Sequence, residues 1–191
     1  MKKILCFGDS NTYGFNPENF NRYQENERWS GILKTKYNII ECGCNNRTIY
    51  NNKDELNSLQ ILSKYIKEDL THIIFQVGIN DLQYQYNADL NIFEHKLKEL
   101  IKLIKPNIKI ILICPNSINE CILNSYFVQL FNKESIKKSE KLNKIYEKIS
   151  NRYNCIYINL NDIATTSKID GLHYDIENHI KIAKYIENIL N

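Results

Sequence analysis

The chain has 191 residues, of which 43% are hydrophobic and 25% charged, with a formal net charge of +3 at pH 7. This length suits a single globular domain over residues 1–191 and is short for two domains. Because acidic residues are interleaved with the basic ones, the charge gives no electrostatic case for binding nucleic acid.

The cysteines and the apolar runs indicate which metal sites and which cellular location to expect. Of the 6 cysteines, most fall in apolar runs, where free cysteine behaves as a small buried hydrophobe. Cys42 and Cys44 form a close pair, but no second pair at zinc-ligand spacing accompanies them, so we expect no metal site. The residues before Gly8 are too few for a signal peptide, and no apolar run is long enough for a membrane span. We therefore expect a cytoplasmic protein.

Alternating segments predict the secondary structure. Continuous apolar runs, typical of strands covered on both faces, occupy residues 4–7, 37–42, 71–77, 108–114 and 155–160. Hydrophobic residues at helical spacing predict helices over residues 29–36, 54–68, 88–104, 134–151 and 176–190. Strands that alternate with helices in this way predict an α/β fold, with a parallel sheet between two helical layers.

Four polar blocks follow the predicted strands. In chain order they are Gly8-Asp9-Ser10-Asn11, Asn46-Arg47-Thr48, Gly78-Ile79-Asn80-Asp81 and Asp170-Gly171-Leu172-His173. They follow the first, second, third and fifth strands. Because ligands bind outside the carboxyl ends of parallel strands, we expect the four blocks to converge at one edge of the sheet.

The first and fourth blocks together offer the parts of an activated nucleophile. A serine hydroxyl is a weak nucleophile that needs an adjacent base, and His173 is the candidate base for Ser10. Asp170, three residues earlier, could fix the imidazole tautomer and stabilise the imidazolium. Each block also has a purely structural interpretation. Gly, Asp and Ser are common in turns, and Asp170 could begin the last helix as its N-cap.

The third block and the other histidines divide into candidate and structural roles. The Asn80 amide could donate to an oxyanion as charge develops. We interpret Asp81 as capping the loop backbone rather than acting as an acid. We expect His72, His95 and His179 to be structural or exposed to solvent.

The four blocks resemble those of the SGNH hydrolase (GDSL esterase/lipase) superfamily, and the resemblance covers nearly the whole chain. Longer stretches are similar to its short bacterial arylesterase/acyltransferase branch: residues 8–14, 27–31, 77–82 and 170–174. The resemblance implies a flavodoxin-like, three-layer α/β/α fold, with the five predicted strands as its parallel sheet.

The resemblance also implies roles for individual residues. Ser10 would be the nucleophile, His173 the base and Asp170 its partner. The oxyanion hole would consist of the Ser10 N–H, a backbone N–H of the second block and the Asn80 side chain. The family usually has glycine where this chain has Asn46. Because only proline lacks the N–H, and asparagine tolerates left-handed backbone, we retain Asn46 as the backbone donor.

These features predict a carboxylic-ester hydrolase, arylesterase- or acylesterase-like, that works through an acyl-enzyme on a small-molecule ester. Water resolves the acyl-enzyme, and an alcohol in its place would give acyl transfer. No metal or organic cofactor is implied. Two alternatives remain open: a carbohydrate O-acetylesterase with a polar pocket, and a non-catalytic flavodoxin-like module that binds a ligand at the sheet edge. Oligomeric state, including a homo-oligomer, is also open.

Several aromatic residues lie in the loops that follow the strands. Either an acyl or aryl pocket or ordinary packing would account for each of them: Phe15, Phe20, Tyr23, Trp29, Tyr84, Tyr86, Tyr126 and Phe127. For substrate binding we select Asn11, Tyr13, Trp29, Tyr84 and Phe127.

Overall fold

The computed structural model describes residues 1–67 and 69–191, and the predicted helical position at residue 68 lies outside them. A five-stranded parallel sheet has the order β2-β1-β3-β4-β5. The strands are β1 (Lys3–Gly8), β2 (Asn38–Gly43), β3 (His72–Gln76), β4 (Lys109–Cys114) and β5 (Ile156–Asn159). All the predicted strands are confirmed to within one or two residues. The chain adds β2 on one side of β1 and then β3 on the other side. Folds of this kind form their ligand crevice at such a change of strand order, here between β1 and β3.

Helices flank the sheet. They are α1 (Ser10–Tyr13), α2 (Trp29–Ile32), α3 (Ser58–Tyr65), α4 (Leu90–Lys102), α5 (Lys133–Ser139), α6 (Leu142–Tyr153) and α7 (Ile176–Leu190). Short 3₁₀ turns occur at Leu33–Thr35, Asp54–Leu56, Ile79–Leu82, Tyr84–Tyr86, Glu120–Asn124, Tyr126–Gln129 and Leu160–Asp162. Within the described part of the chain, no helix combines the length and the apolar character that a membrane crossing requires.

Two hydrophobic clusters cover the two faces of the sheet. Successive side chains of a strand point to opposite faces, so Leu5 and Phe7 of β1 join one cluster and Ile4 and Cys6 the other. The first cluster includes apolar residues of α3, α4 and α6, and the second those of α2 and α7. This arrangement confirms the predicted three-layer α/β/α fold.

Three predicted helices differ from the observed ones. The segment 29–36 is α-helical only over Trp29–Ile32 and continues as a 3₁₀ turn over Leu33–Thr35. The segment 134–151 forms α5 and α6 rather than one helix. Ser139 at the break donates to the Ile136 carbonyl (2.6 Å) and accepts from the Ile118 N–H (2.9 Å), bonds that compete with the helical ladder. The segment 54–68 is α-helical only over Ser58–Tyr65, after a 3₁₀ turn at Asp54–Leu56, because the Asn57 side chain caps the α-helix by accepting from the Gln60 N–H.

Candidate active site

Block one forms a tight turn from β1 into α1. Asp9 is the N-cap of α1, and its side chain accepts from the Asn11 N–H at 3.0 Å. A Cβ at Gly8 would overlap the backbone oxygen of Gln76 on β3, so a side chain is excluded there. This close approach places Ser10, the first residue of α1, at the carboxyl edge of the sheet, where it is 5% exposed.

Ser10, His173 and Asp170 form a continuous chain of hydrogen bonds. The Ser10 Oγ lies 2.8 Å from His173 Nε2, and His173 Nδ1 lies 2.6 Å from Asp170 Oδ2. Asp170 Oδ1 also accepts from the N–H groups of Leu172 (2.9 Å) and His173 (3.0 Å). Burial alone would raise the pKa of Asp170, but the hydrogen bonds and charge of His173, with the two N–H groups, hold it below its usual range. A carboxylate can therefore orient the imidazole so that Nε2 faces the serine hydroxyl.

The turn that carries Asp170 and His173 is fixed by its backbone. The Gly171 N–H donates to the Ser167 carbonyl (2.8 Å), and the Ser167 N–H donates to the His173 carbonyl (2.7 Å). Gly171 has φ +69°, a conformation that favours glycine. The N-cap of α7 is Asp175, so the structural alternative for Asp170, as the cap of the last helix, is wrong.

The third block presents an amide next to this chain. Asn80 is 4% exposed, and its Nδ2 donates one hydrogen bond, to the Arg47 carbonyl at 3.1 Å. An amide nitrogen has two hydrogens, so the second is available to a ligand. Asp81 Oδ2 accepts from the Ile49 N–H (2.7 Å), and Oδ1 accepts from the Tyr50 N–H (3.3 Å). As predicted, Asp81 caps the backbone of the loop after β2.

Asn46 has a left-handed backbone, with φ +63°. This conformation explains why glycine suits the position and why asparagine, which tolerates it better than most residues, can replace glycine. Within residues 1–67 and 69–191 the Asn46 N–H makes no hydrogen bond. The Asn46 carbonyl accepts from Asn52 Nδ2 (2.8 Å), and its side-chain oxygen accepts from Gln83 Nε2 (2.6 Å).

Gln83 is a site residue that sequence reasoning missed. It is 1% exposed, and its Nε2 also lies 3.4 Å from Asn80 Oδ1. Gln83 lies two residues beyond the third block, and its partner Asn46 is 37 residues away in the chain. No spacing rule links such positions.

A small cavity opens above Ser10. Its volume is about 110 Å³, and its lining is Ser10, Phe15, Asn45, Asn46, Asn80, Phe127, Leu130, Phe131, Leu172 and His173. A larger cleft of about 540 Å³ lies beside Lys105, Pro106 and Ile156, at the opposite edge of the sheet, and none of the four blocks contributes to it. The chemistry therefore belongs to the smaller cavity.

Aromatic rings lead from His173 to solvent. Ring centroids of Phe15 and Phe127 lie 4.4 and 5.2 Å from that of His173. Phe20 packs on Phe15 (5.7 Å) and on Tyr126 (5.7 Å), and these outer two rings are 55% and 66% exposed. Phe20 has φ +64°, an uncommon conformation for a bulky residue. We call Phe15, Phe20, Tyr126 and Phe127 the aromatic mouth.

Of the five residues selected for substrate binding, Phe127 lines the cavity. Asn11 does not line the cavity: it is 3% exposed and donates from Nδ2 to the Leu172 carbonyl, which supports the turn that carries His173.

The other three selected residues require a correction, because none lines the cavity. Trp29 is fully buried, and its Nε1 donates to the Asn11 carbonyl and to Gln76 Oε1, so it is a core residue. The Tyr13 ring lies beneath the Arg22 guanidinium, 4.7 Å from centroid to Cζ. Tyr84 is 52% exposed and borders a separate cleft.

The remaining histidines have other surroundings. His179 is fully buried against the rings of Tyr23 and Tyr174, and burial lowers its pKa to about 3. His95 is exposed on α4, and His72 is buried at the start of β3. In the described residues, no group of three or more His, Cys, Asp or Glu side chains is placed to hold a metal ion.

Comparisons with solved structures give the same fold over the whole chain. A carbohydrate acetylesterase family member from Sinorhizobium meliloti is 23% identical, with a TM-score of 0.89, and covers 100% of this chain and 97% of its own. The aryl esterase of M. smegmatis is 21% identical, with a TM-score of 0.90 and coverages of 100% and 98%. A putative arylesterase from Agrobacterium tumefaciens is 20% identical, with a TM-score of 0.85 and coverages of 100% and 98%. No curated protein matches the sequence.

The family follows from the sequence itself. The model of the GDSL-like lipase/acylhydrolase family matches residues 4–186, so the match runs from β1 into α7 and includes all four blocks. A match of this extent confirms the resemblance stated from the motifs. The chain belongs to the GDSL-like lipases and acylhydrolases of the SGNH superfamily, and it is a serine ester hydrolase.

Proposed function

We propose that this protein, one domain over residues 1–191, hydrolyses short-acyl carboxylic esters of aromatic alcohols through an acyl-enzyme on Ser10. The observation that carries the proposal is the hydrogen-bond chain from Ser10 Oγ through His173 to Asp170, with links of 2.8 and 2.6 Å. A serine with an oriented base is the arrangement that nucleophilic acyl transfer requires.

In the first half-reaction, Ser10 Oγ bonds to the ester carbonyl carbon as its proton passes to His173 Nε2. The carbonyl oxygen takes up the negative charge. The Ser10 N–H, the Asn46 N–H and the free hydrogen of Asn80 Nδ2 are the proposed donors to that oxyanion. The C–O bond to the alcohol then breaks, and His173 gives its proton to the departing oxygen.

In the second half-reaction, water attacks the acyl carbon and passes its proton to His173. The bond to Ser10 breaks, the serine oxygen takes the proton back, and the carboxylic acid leaves. An alcohol that replaced water would produce a new ester, so acyl transfer is the same chemistry with another acceptor.

The lining of the cavity supports the choice of substrate. Its volume of about 110 Å³ has room for only a short acyl chain. Apart from the reacting residues and Asn45, Asn46 and Asn80, its walls are phenylalanine and leucine side chains. A carbohydrate O-acetylesterase would need polar groups for sugar hydroxyls there, so this alternative is less well supported. The aromatic mouth offers ring faces to a planar alcohol.

An ester panel tests the proposal. We expect 4-nitrophenyl acetate to be turned over with a higher kcat/KM than the octanoate, and aryl acetates to exceed acetylated xylose. Tyr126→Ala and Phe20→Ala should raise KM for aryl acetates more than for ethyl acetate, because the alkyl ester lacks a ring. An equal rise in KM for the aryl and the ethyl acetate would show that the aromatic mouth does not bind the ring of the substrate. A preference for the acetylated sugar would favour the O-acetylesterase.

A second experiment tests whether Ser10 is the nucleophile. We expect Ser10→Ala to retain the fold and to lose turnover of every ester in the panel. Turnover that survives this substitution would contradict the nucleophile and with it the proposed function.

A further inference from the structure

The two outer donors of the proposed oxyanion hole share one neighbour. Gln83 Nε2 lies 2.6 Å from Asn46 Oδ1 and 3.4 Å from Asn80 Oδ1. Its side chain is buried, at 1% exposure, between the loop after β2 and the turn after β3. We call Asn46, Gln83 and Asn80 the amide bridge.

The orientation of the Gln83 amide is determined by its partners. Gln85 Nε2 donates to Gln83 Oε1 at 2.9 Å, so the oxygen end is occupied by a donor. The two hydrogens on Nε2 then have two acceptors, Asn46 Oδ1 and Asn80 Oδ1. Because the Arg47 carbonyl can only accept, Asn80 turns its Nδ2 towards Arg47 and its Oδ1 towards Gln83, so the Gln83 atom that faces Asn80 is the Nε2 donor.

At one end, the amide bridge holds a non-glycine residue in left-handed backbone. Asn46 has φ +63°, a conformation that surrounding contacts must maintain in a residue other than glycine. Asn52 holds the Asn46 carbonyl (2.8 Å), and Gln83 holds its side chain. The backbone of Asn46, a residue that lines the cavity, is thereby held in place.

At the other end, the amide bridge fixes the rotation of the Asn80 side chain. One Nδ2 hydrogen is committed to the Arg47 carbonyl (3.1 Å), and Oδ1 faces Gln83. With both of these contacts in place, the second Nδ2 hydrogen has only one direction, which is set before substrate arrives. Catalysis by an oxyanion hole depends on donors that need no reorganisation.

We propose that Gln83 is a positioning residue that holds the Asn46 N–H and Asn80 Nδ2 together as one preorganised oxyanion hole. The inference rests on the proposed function, because it takes those two groups as the oxyanion donors. Gln83 itself acts only through them and does not contact the reacting atoms.

The test is to remove the Nε2 donor while the volume is kept. In Gln83→Met and in Gln83→Leu the side chain keeps most of its volume and loses the donor. We expect kcat on 4-nitrophenyl acetate to fall roughly tenfold to thirtyfold in both, with KM within about twofold, because the lost contacts matter most in the transition state. Gln24→Met, at an exposed glutamine, is the matched control and should keep the wild-type kcat.

A purely structural role for Gln83 would reduce the fraction of folded enzyme rather than kcat per site. Each variant is therefore titrated with a fluorophosphonate, and kcat is expressed per titrated serine. A per-site kcat within twofold of wild type in either variant would overturn the inference. If Gln83→Met does not fold, Gln83→Leu decides by the same criterion.

A double-mutant cycle tests whether Gln83 acts through Asn46. In an Asn46→Gly background there is no side chain for Gln83 to hold, so Gln83→Met should cost several-fold less than in the wild type. Equal costs in both backgrounds would overturn the link through Asn46. Wild-type turnover that does not depend on Ser10 would overturn the proposed function and this inference together. Ser10-dependent turnover with unaffected Gln83 variants would overturn this inference alone.

Discussion

The two sides of the candidate site are built in different ways. Asp170 and His173 lie three residues apart on a turn whose left-handed position is glycine, and they contact each other directly. On the oxyanion side, Asn46 and Asn80 come from different loops, Asn46 has a left-handed backbone without being glycine, and a third residue, Gln83, connects them. The first side is determined by local sequence. The second depends on tertiary contacts, and substitutions there should have smaller and less additive effects.

The largest effect should come from the base. We expect His173→Ala to lower kcat by on the order of 10⁶, because the serine loses the group that takes its proton. Asp170→Asn should lower kcat by about 10⁴, since an amide cannot fix the same tautomer. Rates measured on one aryl acetate separate the two. His95→Ala, at an exposed histidine of α4, is the control and should be unchanged.

The next effect tests the side-chain donor. Asn80→Ala removes the Nδ2 hydrogen that we propose as an oxyanion donor, and we expect kcat to fall about 10²–10³-fold. Asn91→Ala, at an exposed position in the first turn of α4, should have no effect. A loss below about fivefold at Asn80 would remove this amide from the oxyanion hole.

A smaller effect is expected at Asn46, where the proposed donor is in the main chain. Asn46→Ala keeps the N–H but loses the Gln83 contact and leaves a Cβ at φ +63°, so kcat should fall about tenfold or less. Asn46→Gly should stay within a few-fold of wild type, because glycine adopts this backbone readily. Should Asn46→Ala be as impaired as Asn80→Ala, the side chain itself would be the donor.

The smallest effect concerns stability and compares two carboxylates of the site, Asp170 and Asp9. Asp170 is held ionised, whereas burial raises the pKa of Asp9 to about 7 from its ordinary value of 3.8. Between pH 3.8 and about pH 7, folded Asp9 keeps a proton that the unfolded chain releases. The free energy of unfolding therefore falls as the pH rises through this window. Above about pH 7 Asp9 is charged in both states, and the free energy of unfolding stays lowered by the full cost of burying that charge.

Asp9→Asn keeps the acceptor for the Asn11 N–H and has no charge to bury. We therefore expect the Tm of Asp9→Asn to exceed that of wild type at pH 8, and the difference to shrink towards pH 4. Thermal melts across this range measure it. A difference independent of pH would show that Asp9 does not titrate in this window.

The sequence predicted what local patterns determine. Continuous apolar runs located the strands, and α7 begins and ends at the predicted residues. The break between α5 and α6 was missed because it depends on the bond from the Ile118 N–H to Ser139, which apolar spacing does not encode. Apolar residues at helical spacing show which face of a helix is buried. Because α5 and α6 each bury one face, the spacing does not reveal the break between them.

Within the site, the four blocks were placed correctly because strand order brings their ends together. The aromatic residues were harder to assign. Trp29 and Phe127 both follow strands as loop aromatics, but one is a core residue and the other lines the cavity. Gln83 was missed for a similar reason, because a buried glutamine acquires meaning only when its partners are known. Burial and hydrogen bonding of single side chains are set by the tertiary fold.

Covalent labelling identifies the nucleophile of this enzyme. The purified protein is treated with a fluorophosphonate, digested, and analysed by mass spectrometry, with Ser10→Ala and His173→Ala treated in parallel. We expect one phosphonylated residue, Ser10, with none in Ser10→Ala and greatly slowed labelling in His173→Ala. Modification of another residue in active wild-type enzyme, or ester turnover that continues after Ser10 is fully labelled, would contradict this expectation.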